Sequence, residues 1–331
     1  MQLKKRFIIG ILISLVFLYL AVRKVDFDEL WMAIKNANYW WTVPNMALMV
    51  FSTWMRAYRW KFMVNPIKRL KTYPLFTSTM IGFMANNVLP ARLGEFVRAY
   101  SLGEKAGISK SASFATIVVE RVFDGFSLLF ILWITLLFSP FPEWVKRAGN
   151  ITLILNIALL FVLIFLEVKT EPTLRFFKGI FKFLPSTIST KASEILYKFT
   201  TGLKVFRDWS SIFWILVWSL LIWAVIGVSN YFIFLAFNLY PPFHISFILL
   251  IMVALAVMLP SSPGYIGTFQ YACIIALGLF GISESVAFSF SVVLWVSQFL
   301  PITSLGLYYL RKEHLSLKGA KEEREEVIRE K

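Results

Sequence analysis

Long apolar runs, broken by short polar stretches, dominate this chain, and their lengths predict helices that cross a bilayer. A hydrocarbon core of about 30 Å takes roughly 20 apolar residues of helix. The candidate spans are residues 7–22, 39–57, 74–90, 112–138, 150–167, 210–238, 245–260, 264–282 and 286–310. Between Trp209 and Ser283 there is no Lys, Arg, Asp or Glu. An all-α polytopic membrane protein is the expected class. The first run, MQLKKRFIIGILISLVFLYLAV, opens like a signal peptide. Arg23 and Lys24 follow it where a small-residue cleavage site would stand, so it reads as a retained helix.

Basic residues then orient the spans. Arg56, Arg59, Lys61, Lys68, Arg69 and Lys71 follow the second span and predict a cytoplasmic loop. Residues 168–208 carry eight Lys or Arg and predict a cytoplasmic connector. Its Phe176, Phe177, Phe181, Phe183 and Leu184 suit a segment lying along the inner leaflet. The connectors 23–38 and 139–149 are poorer in basic residues and are expected outside. Both termini are expected in the cytoplasm, with the charged tail 313–331 as a solvated helix, in the plasma (inner) membrane of a bacterium or archaeon.

Parity then forces a less regular arrangement. Residues 91–111 carry Arg92, Arg98, Lys105 and Lys110 and so read as cytoplasmic, yet one full crossing at 74–90 would leave them outside. The conflict disappears if 74–90 dips to mid-membrane, breaks at Leu89-Pro90 and returns as a helix from about Gly94. Such irregular backbone is tolerated where protein or a cavity surrounds it. The stretch LPARLG (Leu89 to Gly94) recurs in spacing as LPSSPG (Leu259 to Gly264), in a second interrupted region. Pro90, Gly94, Pro260 and Pro263 are the expected hairpin breakers. The chain then reads as about six spanning helices plus two re-entrant helical hairpins, in two inverted-topology repeats. Repeat one covers about 1–140 and repeat two about 150–310, within one transmembrane domain, 1–312. Interrupted segments at matching positions of two halves point to a midplane transport site.

The intramembrane charges supply candidate chemistry. A charge at a helix centre carries an apparent insertion cost of about 2.5–3.5 kcal/mol, so such groups normally face protein or water. VVERVFDGF sets Glu120 and Asp124 on one helical face, with Arg121 about 100° away. Arg92, Glu95 and Arg98 recur every three residues behind Pro90, where freed amides and arginine suit a phosphate. The acidic pair could equally serve to anchor the arginines. In the second hairpin, PSSPGYIGTFQ offers hydroxyls, Gly264, Gly267 and Gln270 without charge. A site cationic and acidic on one side and neutral on the other fits an amphiphile with an anionic headgroup.

Three stretches in order, LPARLGEFVRAYSL, VVERVFDG and LPSSPGYIGTFQYACIIALGLFGIS, closely resemble the lysylphosphatidylglycerol synthase transmembrane-region family. That family includes the flippase domain of the multiple peptide resistance factor. The similarity runs over most of residues 1–312. The family's patterns fall on Pro90, Arg92, Gly94, Glu95 and Arg98, then on Glu120, Arg121 and Asp124, then on Pro263, Gly264 and Gly267. The resemblance implies movement of phospholipids or polyprenyl-linked lipids between leaflets. Many relatives carry a glutamate where this chain has Gln270, so a titratable role there is not implied. The full-length synthases add a soluble aminoacyl-transfer domain; here KGAKEEREEVIREK is expected to be only a short charged helix, and no enzyme activity is expected.

A polyprenyl-linked glycosyl- or other transferase is the rival, because VDFDEL holds an Asp26-Phe27-Asp28 pair in the first outward loop. The alternative role for Asp26 or Asp28 is to cap the amphipathic ELWMAIKNA stretch. The remaining composition narrows the classes. The chain is 58% hydrophobic and 16% charged, and its net charge of +15 sits in loops between spans, a topology signal rather than a nucleic-acid one. The single Cys273 excludes an internal disulfide, and no phosphate-loop, Rossmann or zinc-protease pattern appears, so no cofactor or metal is expected. The expected partners are membrane lipids with anionic headgroups, with a second copy of the chain or a lipid-modifying enzyme left open.

Overall fold

The computed structural model describes residues 2–89, 93–138, 143–173, 186–258 and 262–315. Pro90, Arg92 and Pro260 lie outside these, as do Phe176, Phe177, Phe181, Phe183, Leu184 and the tail beyond Leu315. Within them the chain is helical. In order come α1 (Gln2–Val22), α2 (Phe27–Lys35), α3 (Thr42–Val64), α4 (Thr72–Val88), α5 (Gly94–Ala106) and α6 (Lys110–Leu136). The second half contains α7 (Glu143–Val168), α8 (Ser186–Gly202), α9 (Trp209–Ala236), α10 (Ile245–Met258), α11 (Thr268–Gly278) and α12 (Glu284–Lys312).

Polar side chains mark the ends. Asp26, Ser109, Asp208 and Ser283 each receive a backbone N–H from the first turn of the helix that follows. Gly107, at φ 60°, closes α5 in the left-handed conformation that a glycine adopts without strain. Of the described helices, α1, α3, α6, α7, α9 and α12 have 21 residues or more, or at least about 31 Å at the helical rise. By length and hydropathy α7, α9 and α12 qualify outright as membrane spans. Helices α3 and α6 have the length but carry charges, of which Arg56, Arg59, Glu120 and Asp124 are buried against one another. Large apolar side chains such as Ile154, Phe161 and Phe165 on α7 point outward, as expected of a surface that meets hydrocarbon rather than water.

Helix pairing gives the architecture. Helix α3 packs against α9, and the contacts Trp41 with Phe232, Asn45 with Ser229 and Arg59 with Ser219 run in opposite directions along the two, so the pair is antiparallel. Helix α4 packs on α5 and α12, and α10 packs on α11 and α6. In the same way α5 lies on α6 and α11 on α12, while the short α2 lies on α12 and α8 on α6. One apolar core gathers mainly residues of the second half, such as Phe234, Leu249, Cys273 and Phe290. Another gathers residues of the first, such as Trp60, Met63, Leu102 and Ile117.

The span limits expected from hydropathy hold for most elements and fail where charge or glycine intervenes. Helix α3 continues to Val64 instead of stopping at residue 57, so Arg56 and Arg59 are buried in the helix and are not part of a cytoplasmic loop. The connector 139–149 is partly taken up by α7, and 168–208 contains α8. The apolar run 264–282 is helical only from Thr268 to Gly278, because Gly264, Tyr265 and Gly267 take positive φ at its start and Gly281 at its end.

Candidate functional site

Helix α6 is the centre of the site. Glu120 is fully buried and accepts from both terminal nitrogens of Arg98 on α5, each at 2.9 Å. Arg59 Nη2 approaches the same carboxylate at 3.2 Å, and Arg121 donates to it from the next residue. One helical turn on, Asp124 accepts from Arg59 Nη1 at 2.6 Å, from Arg56 Nη1 at 3.2 Å and from Trp223 Nε1 at 3.2 Å. The Arg98 guanidinium lies 3.9 Å from the Trp60 ring centroid and that of Arg56 lies 4.9 Å from Trp223. Burying such groups singly would cost several kcal/mol; paired and hydrogen-bonded, they lock α3, α5, α6 and α9 in one register.

Two members of the network look outward. The Arg121 side chain is 39% exposed and reaches Glu95 Oε1 at 3.8 Å, with Glu95 18% exposed. Both line a cavity of about 610 Å³, together with Asp124. Arg98 and Glu120, expected to bind substrate, are sealed behind that wall. They hold α5 in place, so for them the anchoring role is the one the geometry supports.

Helices α4 and α5 approach each other closely at their backbones. Gly94 faces Gly82, where a Cβ on Gly94 would fall 2.0 Å from the Gly82 carbonyl oxygen. Ser78 meets Ser101 at 3.0 Å farther along, so α4 and α5 run antiparallel. The Gly94 N–H donates to Asn86 Oδ1 at 2.8 Å, so one amide expected to be free for an anion is already used.

In the second tip, Pro263–Tyr265 form a short 3-10 turn, with Gly264 at φ 69° and Gly267 at φ 89°. A Cβ on Gly267 would fall 2.3 Å from the Ser14 carbonyl oxygen, so only glycine lets α1 come this close. The Ser262 N–H donates to Ser14 Oγ at 2.8 Å and Trp295 Nε1 to the Gly264 carbonyl at 2.7 Å. Gln270 is 4% exposed and accepts the Gly267 N–H at 2.7 Å. It caps α11 and does not line the cavity, whereas Gly264 does.

The two tips meet. An ideal Cβ on Gly264 would lie 3.5 Å from the Asn87 carbonyl oxygen, across from the first hairpin. Around this junction the cavity wall is polar, with Asn86, Asn87, Asn230 and Gln298 beside Glu95 and Arg121. Leucines of α6, α7 and α10 form much of the remaining wall, with Thr152 and Asn156 of α7 beside them. The carboxamides were not expected as site residues. Arg56 and Arg59 were assigned to a loop, although Ser52, Thr53, Arg56, Arg59 and Met63 already show the spacing of one helical face.

A sequence-family profile described as the lysylphosphatidylglycerol synthase TM region matches residues 7–306. The chain belongs to that family. Among curated proteins it is similar to a UPF0104 membrane protein of Methanocaldococcus jannaschii, 27% identical over 247 residues, which are 72% of this chain and 98% of the relative. A UPF0104 membrane protein of Methanothermobacter thermautotrophicus is 24% identical over 247 residues, 70% of this chain and 73% of the relative. A second protein of the former organism, also named a UPF0104 membrane protein, is 23% identical over 314 residues, or 89% and 91%. No solved structure matches. This member of the transmembrane-region family is thus a membrane protein with archaeal relatives. The patterns by which the resemblance was stated fall, where described, on the packed network and on the two tips.

Proposed function

We propose that the protein is a lipid transporter, a flippase or scramblase that carries an anionic phospholipid, aminoacyl-phospholipid or polyprenyl-phosphate-linked lipid across the plasma membrane. The observation that carries this reading is the cavity at the meeting of the two tips. Its charged and carboxamide end suits a headgroup, and its aliphatic side suits hydrocarbon chains that never leave the bilayer. The headgroup binds at Arg121, since Arg98 is not accessible.

The pairings support two inverted repeats with re-entrant hairpins. Exchanging α1–α6 for α7–α12 carries α4 on α12 into α10 on α6, α5 on α6 into α11 on α12, and α2 on α12 into α8 on α6. The antiparallel pair α3 and α9 maps onto itself. Three crossings per half give the inversion, and at 17 and 14 described residues α4 and α10 are short for a full crossing. Transport then follows from rocking of the halves around a fixed site, with both termini in the cytoplasm.

Asp26 Oδ1 receives the N–H groups of Asp28 and Glu29 at 2.9 and 3.2 Å, which supports the capping role weighed against the transferase reading. The test is translocation in proteoliposomes containing labelled phosphatidylglycerol. Wild-type protein is expected to expose the label far faster than protein-free vesicles, and Arg121→Ala to lose most of that rate while remaining folded. Equal rates with folded wild-type protein and with empty vesicles overturn the proposal.

A further inference from the structure

We infer that the headgroup taken by this cavity is a hydroxyl-bearing phosphate ester, a phospho-polyol or phospho-sugar, and not the aminoacylated, cationic type. This rests on the lipid-transport reading and narrows it to one substrate class.

Charge gives the first half of the case. Among the described residues the network holds four guanidinium groups (Arg56, Arg59, Arg98, Arg121) and three carboxylates (Glu95, Glu120, Asp124), leaving one positive charge in excess. The guanidinium groups stay protonated in proteins. Both carboxylates on the cavity wall are engaged, Asp124 by Arg56, Arg59 and Trp223, and Glu95 by Arg121. A phosphodiester answers the excess charge. An aminoacyl group would bring ammonium into a site whose carboxylates are already neutralised, and a buried cation without a partner is strongly disfavoured.

The carboxamides give the second half. Each uses one end to hold the fold. Asn86 Oδ1 accepts the Gly94 N–H, Asn87 Nδ2 donates to Thr303, Asn156 Nδ2 donates to the Val122 carbonyl, and Gln298 Nε2 donates to Asn230 Oδ1. All five residues line the cavity, and among the described residues the amide donors of Asn86 and Asn230 and the carbonyl acceptors of Asn87, Asn156 and Gln298 have no side-chain bond of their own. Such neutral groups, fixed in orientation by their other bonds, match hydroxyls, which donate and accept at once. A purely anionic site would favour donors alone.

The experiment compares headgroups on identical labelled acyl chains in proteoliposomes of the wild-type protein: phosphatidylglycerol, phosphatidylinositol, phosphatidylmethanol and lysylphosphatidylglycerol. Phosphatidylmethanol keeps the phosphodiester charge and lacks the hydroxyls. Phosphatidylglycerol and phosphatidylinositol are expected to cross fastest and phosphatidylmethanol on the order of tenfold slower, because a site built to bind hydroxyls rejects an analogue without them. Lysylphosphatidylglycerol is expected to be slowest. Gln298→Leu is expected to lower the phosphatidylglycerol rate by a larger factor than the phosphatidylmethanol rate, narrowing the difference between the two. Equal rates for phosphatidylglycerol and phosphatidylmethanol, a preference for the lysyl lipid, or an equal loss for both lipids in the variant overturn this inference while transport itself stands. No movement of any headgroup by folded wild-type protein overturns the transport reading beneath it.

Discussion

The helix pairs α4–α5 and α10–α11, proposed as the two hairpins, are held by opposite chemistry. The return helix of the first is clamped by charge: Arg98 and Glu120 pair fully buried, and Arg59 bridges Glu120 to Asp124. In the second the break is held by backbone. Gly267 presses on α1, Ser14 takes the Ser262 N–H, and Trp295 caps the Gly264 carbonyl, with no charged group taking part. The difference shows that a broken helix inside an apolar protein needs its loose polar groups satisfied, and that either ion pairs or close-packed glycine can do it. It also gives the cavity an asymmetric wall, charged from one hairpin and neutral from the other.

That contrast breaks most sharply at Glu120. Glu120→Ala leaves Arg98 without its buried carboxylate and Arg59 with Asp124 alone, and is expected to cost about 3–5 kcal/mol, read as a large fall in thermal unfolding temperature in detergent. Gly267→Ala is the counterpart in the neutral hairpin. It forces a side chain into positive φ and against the Ser14 carbonyl, and a loss of about 1–3 kcal/mol is expected. Gly278→Ala, where a Cβ meets nothing within 4 Å, is the control and should change stability by less than about 0.5 kcal/mol. Ser14→Ala removes the acceptor for the Ser262 N–H and should cost about 1 kcal/mol, with proteolysis near the second tip rising before the first. The smallest effect on transport is expected from Asp26→Ala. It should lower stability by about 0.5–2 kcal/mol through loss of the α2 cap and leave the translocation rate of the folded fraction unchanged.

Much of this was legible in the chain. Apolar run length located the long helices to within a few residues at most ends, and charge parity with L-P-x-x-x-G spacing led to the helix break before Gly94. The VVERVFDGF stretch announced its own importance, since an apolar helix does not carry three charges idly. Arg56 and Arg59 were misread because hydropathy stops counting at the first charge, and only the partners at Glu120 and Asp124, far away in sequence, make a membrane-embedded arginine tolerable. The cavity amides were invisible for a related reason. Asn86, Asn87, Asn156, Asn230 and Gln298 come from α4, α7, α9 and α12, and no spacing along the chain brings them together. The inaccessibility of Arg98 likewise depends on Trp60 and Glu120 closing over it.

The central claim is that the cavity between the tips is the path taken by the headgroup, and a bulky plug tests it most directly. In a Cys273→Ala background, Ala254→Cys sets one thiol on the cavity wall and Gly278→Cys sets one on an exposed helix end. After alkylation with a bulky maleimide, phosphatidylglycerol translocation should stop in the Ala254→Cys protein and continue in the Gly278→Cys protein. Undiminished transport with the cavity thiol fully alkylated would contradict the account.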